Sequence, residues 1–179
     1  MLDALITSKT RIRLLLKFFL NTTSTGYLRG LSEEFNESTN GLRIELNRLE
    51  EAGLLEAQSD GYRKVFQANK KHPLFPDIQS LVRKYAGIDR IIDNVINHLG
   101  QPDEVYLIGD LARGLDSKEL NIIIVGYNTD HDYLEHLVGK AQSLVTRKIG
   151  YLVLTPDEFK LQRPFLNQEK LLKVWEKTD

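Results

Sequence analysis

The sequence contains no cysteine. A disulfide scaffold, a thiolate nucleophile, an iron–sulfur cluster and a zinc finger are thereby excluded, and the expected compartment is a reducing cytoplasm. No apolar run approaches the ~20 residues that cross a bilayer, so no membrane partner is expected. The first twenty residues carry Arg11, Arg13 and Lys17 inside their apolar stretch, whereas a signal peptide keeps its positive charge ahead of it. There is no excess of either charge: 24 Lys and Arg stand against 25 Asp and Glu, a net of −1. That balance argues against coating nucleic acid by bulk charge. No internal repeat and no low-complexity tract is visible.

What is present is an ordinary folded composition. The 179 residues are 41% apolar and 27% charged, which fits one or two compact domains. The charge is unevenly placed. Residues 1–86 hold 13 Lys and Arg against 10 Asp and Glu, and residues 87–179 hold 11 against 15. The two parts therefore differ in sign, at +3 and −4, which suggests two modules.

In the first part Ile12, Leu15, Leu16 and Phe19 recur at helical spacing, with Ser8 as a natural N-cap. Thr22 to Gly26 is a polar break, and a short helix is expected from Leu28 to Phe35. The next helix begins after Asn36-Glu37-Ser38-Thr39-Asn40. Its buried stripe is Leu42, Leu46 and Leu49, and Gly53 is a natural stop. Asn40, Arg43 and Asn47 share another face at i, i+3, i+7. Two short strands follow, Leu55 to Ala57 and Arg63 to Ala68. They are joined by Ser59-Asp60-Gly61-Tyr62, and Asp-Gly is a strong hairpin signal.

Arg can bond guanine through two hydrogen bonds and Asn can do the same to adenine. The face with Asn40, Arg43 and Asn47 therefore suits base edges. Ser38 and Thr39 at the helix start suit a phosphate, and so do Arg63 and Lys64 beside the hairpin tip. Glu45, Glu50 and Glu51 on the same helix repel phosphate, but lie mostly off that face or towards its far end. A solvated polar face carries the same residue types and is the competing explanation.

Three helices followed by a hairpin, with the stretch LRIELNRLEEAGLL, resemble the ArsR-like winged helix-turn-helix regulators. The resemblance covers roughly residues 8–70. It implies a third helix entering the major groove, a hairpin wing on the backbone, and duplex DNA as partner. Winged-helix units also serve as protein-interaction modules.

Asn69 to Pro76 breaks the pattern. Two amphipathic stretches follow: Ile78, Leu81, Val82 and Tyr85, then Ile88 to Leu99, separated by Gly87. Such an apolar stripe can pack within the chain or against a second copy, and a homodimer is expected. The stretch NKKHPLFPDIQSLVRKYAGI resembles the connector of regulators that fuse a winged helix to a nucleotidyltransferase-like domain.

In the second part Glu104 to Ile108, Leu120 to Val125 and Tyr151 to Leu154 read as strands. Leu134, Leu137, Val138, Ala141 and Val145 mark a helix. A last helical region is expected from Asp157, with Leu171, Leu172 and Trp175 as packing residues. His131 and His136 lie five apart, which does not bring them to one helical face. The sequence YLIGDLARG…SKELNIIIVG resembles the core of polymerase-beta-type minimal nucleotidyltransferases. That family has Gly-Ser-x-Ala-Arg-Gly, then Ser-Asp-x-Asp and a third Asp on a later strand. The resemblance implies a triphosphate turn beside a two-metal carboxylate cage.

Gly109, Ala112, Arg113 and Gly114 match the motif. Asp110 stands where the family has Ser, Glu119 where it has the first Asp and Asn121 where it has the second. No carboxylate stands near Gly150. These departures weaken magnesium–nucleotide binding, so Gly109, Asp110, Arg113, Gly114, Glu119 and Asn121 are expected to form a degenerate pocket. No cofactor, no metal and no catalytic residue is expected, and the chain is expected not to be an enzyme.

The expected architecture is α+β: a winged helix over 1–72, a helical connector over 73–100, and a nucleotidyltransferase-like α/β domain with a small mixed sheet over 101–179. The function expected is transcription regulation through DNA, with the second domain used for dimerisation or for sensing a small-molecule or protein effector. The alternatives are a nucleotidyltransferase acting on a protein or small molecule, and a module that binds only protein.

Overall fold

The computed structural model describes residues 2–100, 102–166 and 171–177. The chain is a mixture of helices and two small sheets, and divides into two compact units, Met1–Val82 and Arg83–Asp179. The division falls inside the segment expected as a connector. Among the described residues no helix is long and apolar enough to cross a membrane.

The first unit opens with α1 (Leu2–Leu5) and α2 (Lys9–Leu15), which continues as a π-helical stretch, Leu16–Leu20. Ser8 caps α2 by accepting from the Arg11 N–H. Leu14, Leu16, Phe18 and Phe19 are at most 1% exposed, so the stretch from Leu14 to Leu20 is buried on all sides rather than on one stripe. Its one buried cation, Lys17, pairs with Glu34 at 2.8 Å, as burial of a charge requires.

Thr25–Tyr27 form a strand, β1, where only a polar break was expected. Three residues pairing with a strand some forty positions later leave no local periodicity to read. Helices α3 (Leu28–Phe35) and α4 (Thr39–Glu51) follow, then β2 (Leu55–Asp60) and β3 (Arg63–Ala68). The sheet order is β1-β3-β2, all antiparallel. Asp60 pairs with Arg63, so the two-residue turn is Gly61-Tyr62, with Gly61 at a positive φ of 59°. Asp60 closes the strand instead of entering the turn. Leu31, Phe35, Leu42, Leu46, Leu49, Leu55 and Phe66 join α2 in the core.

Glu45 of α4 is buried and receives Arg11 Nε at 2.8 Å and Arg48 at 3.4 Å. Burial pushes its carboxyl up, but the hydrogen bonds from Arg11 and Ser8 and the charges of Arg11 and Arg48 outweigh it and hold the value below the usual one. A depressed folded value means stability that is present above the unfolded value, ~4.3, and lost as pH falls through the folded one. The acid limb of unfolding should flatten in Glu45→Gln. A limb as steep as the parent's, followed by circular dichroism from pH 6 to 2, would show that Glu45 does not drive it.

The second unit contains α6 (Ile88–Ile91) with a π-helical continuation, Ile92–Ile96, then β4 (Glu104–Ile108), β5 (Glu119–Val125), α7 (His131–Gln142), β6 (Lys148–Leu154), α8 (Pro156–Gln162) and β7 (Leu171–Glu176). Helix α5 (Phe75–Ala86) contains the division between the units. The second sheet has the order β6-β5-β4-β7 and is mixed: β6 runs parallel to β5, while β4 is antiparallel to β5 and β7. Central β5 is apolar on both faces, with Leu120, Ile122, Ile123, Ile124 and Val125 at most 2% exposed, as a strand covered on both sides must be. One face holds Tyr106, Ile123, Val125, Leu154 and Phe159, with the Tyr106 and Phe159 rings stacked at 4.7 Å.

The ending of the chain corrects the expected last helix. Helix α8 stops at Gln162, and Leu171–Glu176 is an edge strand. The part of that expectation falling on residues 167–170 lies outside the described residues. The register of β7 shifts between Val105 and Tyr106 of β4, so that Val105 faces Trp175 and Tyr106 faces Lys173. This bulge at Val174 breaks the alternation of a regular strand.

Candidate nucleic-acid interface

Helix α4 starts at Ser38, whose Oγ accepts from the Gly41 N–H at 3.3 Å. Leu42, Leu46 and Leu49 are buried, which turns Arg43 and Asn47 outward, and both are exposed. The β-hairpin brings Arg63 and Lys64, also exposed, beside that face. Together these elements wall a groove of about 780 Å³ lined by Tyr27, Leu28, Arg29, Glu33, Arg43, Leu46, Asn47, Tyr62, Arg63, Lys64 and Phe66.

The groove unites four of the seven residues singled out in this part of the sequence: Arg43, Asn47, Arg63 and Lys64. Ser38, Thr39 and Asn40 are exposed but do not line it. Ser38 also spends its side-chain oxygen on the helix cap. Asn40 shares the helical face with Arg43 but stands one turn nearer the helix start. Seven lining residues were not singled out as site residues: Tyr27, Leu28, Arg29, Glu33, Leu46, Tyr62 and Phe66. Arg29 sits in the first turn of α3, where nothing in the sequence relates it to a hairpin 34 positions later. Tyr62 occupies the turn and is fully exposed.

Four cations, Arg29, Arg43, Arg63 and Lys64, line the groove against one carboxylate, Glu33. Of the helix carboxylates that oppose phosphate, Glu45 is paired within the fold and Glu50 holds Lys64 Nζ at 2.6 Å. Glu51 is exposed at the far end of the helix. The repulsion read from the sequence is thus largely cancelled inside the protein. The same Glu50 contact means that Lys64 must exchange one anion for another to hold a phosphate.

The second unit places the other six residues singled out at one end of its sheet. Ile108 pairs with Asn121, so the turn leaving β4 stands beside the start of β5. Gly109 and Gly114 take positive φ, 75° and 76°, which glycine adopts without strain. The turn closes on itself: the N–H groups of Arg113 and Leu115 both donate to the Asp110 carbonyl, and that of Gly114 donates to Leu111. Asp110 and Glu119 are exposed and Arg113 is half-buried.

Asn121 Nδ2 donates to Glu119 Oε2 at 3.1 Å, so an amide donor stands beside the carboxylate that the motif would give to a metal. Asn121 also packs over Gly150, its partner on β6. No group of three or more His, Asp or Glu able to hold a metal ion occurs among the described residues.

Arg147, just before β6 and 7% exposed, holds the loop that leads into Glu119 at the start of β5. Its guanidinium donates to the Ser117 carbonyl at 2.8 Å, the Tyr85 carbonyl at 2.8 Å and Asp116 Oδ1 at 2.6 Å. Ser117 Oγ in turn accepts from the Glu119 N–H.

No family of known proteins matches the sequence. No curated protein compared with it is similar. Among solved structures the chain is similar to AF1382 of Archaeoglobus fulgidus, with 14% identity, 52% of this chain and 99% of that chain covered, and a TM-score of 0.38. It is also similar to a "putative nucleotidyltransferase" of Sulfolobus solfataricus, with 20% identity, 56% and 86% coverage, and a TM-score of 0.38. Likeness at this level fixes neither an activity nor the role of any residue. The second likeness nevertheless runs against the expectation, read from Asp110, Glu119 and Asn121, that the chain is not an enzyme. That expectation is corrected: the departures at Asp110, Glu119 and Asn121 do not by themselves exclude an enzyme.

Proposed function

We propose that the first unit is a winged helix-turn-helix that binds duplex DNA, carried on a chain whose second unit is nucleotidyltransferase-like, and that the whole acts in transcription regulation. The observation that carries this reading is the groove between α4 and the hairpin, where Arg43 and Asn47 face Arg29, Arg63 and Lys64. Arg43 and Asn47 supply the paired donors and acceptors that base edges require. Arg29, Arg63 and Lys64 flank them as phosphate ligands, with Ser38, Thr39 and Asn40 at the exposed start of α4 extending the contact.

The helix order, the buried stripe of α4 and the two-residue turn at Gly61 support the winged-helix assignment. A two-fold dimer on a pseudo-palindromic site is the arrangement proposed.

The test is a fluorescence-anisotropy titration of duplex DNA at several salt concentrations. Three phosphate ligands predict that log affinity falls with log salt at a slope of about −3 per chain. A footprint of two half-sites about one helical turn apart would accompany a dimer. Salt-independent or absent binding would overturn the reading.

A second reading has its own observation: the Gly109–Gly114 turn and the exposed Glu119 meet at one end of the sheet. That is the placement that transfer of a nucleotide to a protein or small molecule needs, with Glu119 as metal ligand and the turn at the phosphates. It predicts magnesium-dependent incorporation of labelled nucleotide that is lost in Glu119→Ala. Incorporation that persists in the variant would remove Glu119 from the chemistry.

A further inference from the structure

We propose that Tyr27 is a positioning residue for DNA binding, holding the Arg63 guanidinium over its ring so that this cation keeps its charge available to a phosphate; the inference rests on the DNA-binding reading above. Arg63 and Lys64 are neighbours in the hairpin, but the fold treats them differently. Lys64 is tied to a carboxylate, Glu50. Arg63 has no carboxylate partner among the described residues, and its guanidinium carbon stands 4.9 Å from the centroid of the Tyr27 ring. A ring face attracts a cation without cancelling its charge. A carboxylate would hold the same side chain but oppose the incoming phosphate.

The register builds this contact. Tyr27 of β1 pairs with Val65 of β3, and Arg63 lies two residues earlier on β3. Diagonal neighbours of this kind share a sheet face and are within reach of long and aromatic side chains. The ring also lies against Gly30 of α3. A Cβ at that position would come 3.0 Å from the ring Cζ and 3.2 Å from Cε1, so the absence of a side chain lets the ring lie close to the helix. Tyr27 and Arg63 both line the groove. The contact is therefore made at the wall where the duplex is expected, and it limits the directions in which a flexible arginine can point.

The experiment measures duplex affinity and its salt slope for the full chain, for Tyr27→Phe, Tyr27→Leu and Gly30→Ala, and for Tyr27→Leu combined with Arg63→Ala, with thermal unfolding recorded for each. Tyr27→Phe should bind as the parent does, because the ring is kept. Tyr27→Leu should lose about threefold to fivefold in affinity and about one unit of salt slope, the signature of one lost phosphate contact. Gly30→Ala, which displaces the ring, should follow it. In the Arg63→Ala background Tyr27→Leu should cost nothing further.

A loss that persists without Arg63, or an unchanged salt slope in Tyr27→Leu, would overturn the proposal, and the first of these would identify Tyr27 as a purely structural residue whatever the melting temperature. Failure of the parent chain to bind any duplex would instead overturn the reading beneath it.

Discussion

Replacing Arg43 by alanine should lower affinity for the preferred duplex by about tenfold to a hundredfold. A guanidinium making two hydrogen bonds to one guanine discriminates against other bases by ~1–3 kcal/mol, and each 1.4 kcal/mol is tenfold. The position of Arg43 makes the expectation specific. It is exposed on α4 beside the buried stripe of Leu42, Leu46 and Leu49 and lines the groove, so truncation leaves the core intact. Preference should relax at one base position per half-site while binding elsewhere is kept. Arg63→Ala should behave differently, weakening all duplexes alike and reducing the salt slope by about one unit. Equal losses on preferred and scrambled duplexes in Arg43→Ala would mean that α4 touches phosphate rather than bases.

The second large effect concerns stability. Arg147→Ala should destabilise the carboxy-terminal unit by about 3 kcal/mol. The side chain is 8% exposed, and its guanidinium satisfies two backbone carbonyls and Asp116. Its removal leaves the Ser117 and Tyr85 carbonyls without that donor and takes away the cation that stacks on the Tyr85 ring at 4.9 Å. Asp116 is 38% exposed, so water screens its share of the loss, and most of the effect comes from the carbonyls. The single tryptophan, Trp175, lies on β7 of this unit, which makes its fluorescence a local reporter. With a urea slope of about 2 kcal/mol/M, the midpoint should fall by about 1.5 M. An unchanged midpoint would mean that the loop from Asp116 to Glu119 is held by something other than Arg147.

The parts of this fold that were legible in the sequence are those whose cause is local. Ser8 and Ser38 cap their helices within three residues, and the left-handed Gly53 follows α4. Leu42, Leu46 and Leu49 mark the buried side of α4 by spacing alone. What could not be read depends on distant partners. Strand β1 exists because Thr25 meets Gln67. The pairing of Glu45 cannot be read because its partner Arg11 is 34 positions away. A bulge interrupts the alternation of strand β7, and pairing with Lys64 and Arg63 draws Ser59 and Asp60 out of the turn into β2.

The candidate site follows the same rule. Arg43 and Asn47 belong to one helix and could be read together. Arg29 and Tyr27 join them only through the sheet and the start of α3. In the second unit the motif positions are readable, but the Asn121 amide donating to Glu119 is not, since the sequence shows Asn121 only as a neutral residue where the motif has a metal ligand.

The central claim is that the groove between α4 and the hairpin holds duplex DNA. The most direct measurement is a selection of bound sequences from a random duplex library by the full chain, with an Arg43→Ala chain run in parallel. The parent should enrich a recurring sequence that the variant does not. Recovery of an unenriched library by both chains, with retention indifferent to salt, would contradict the claim.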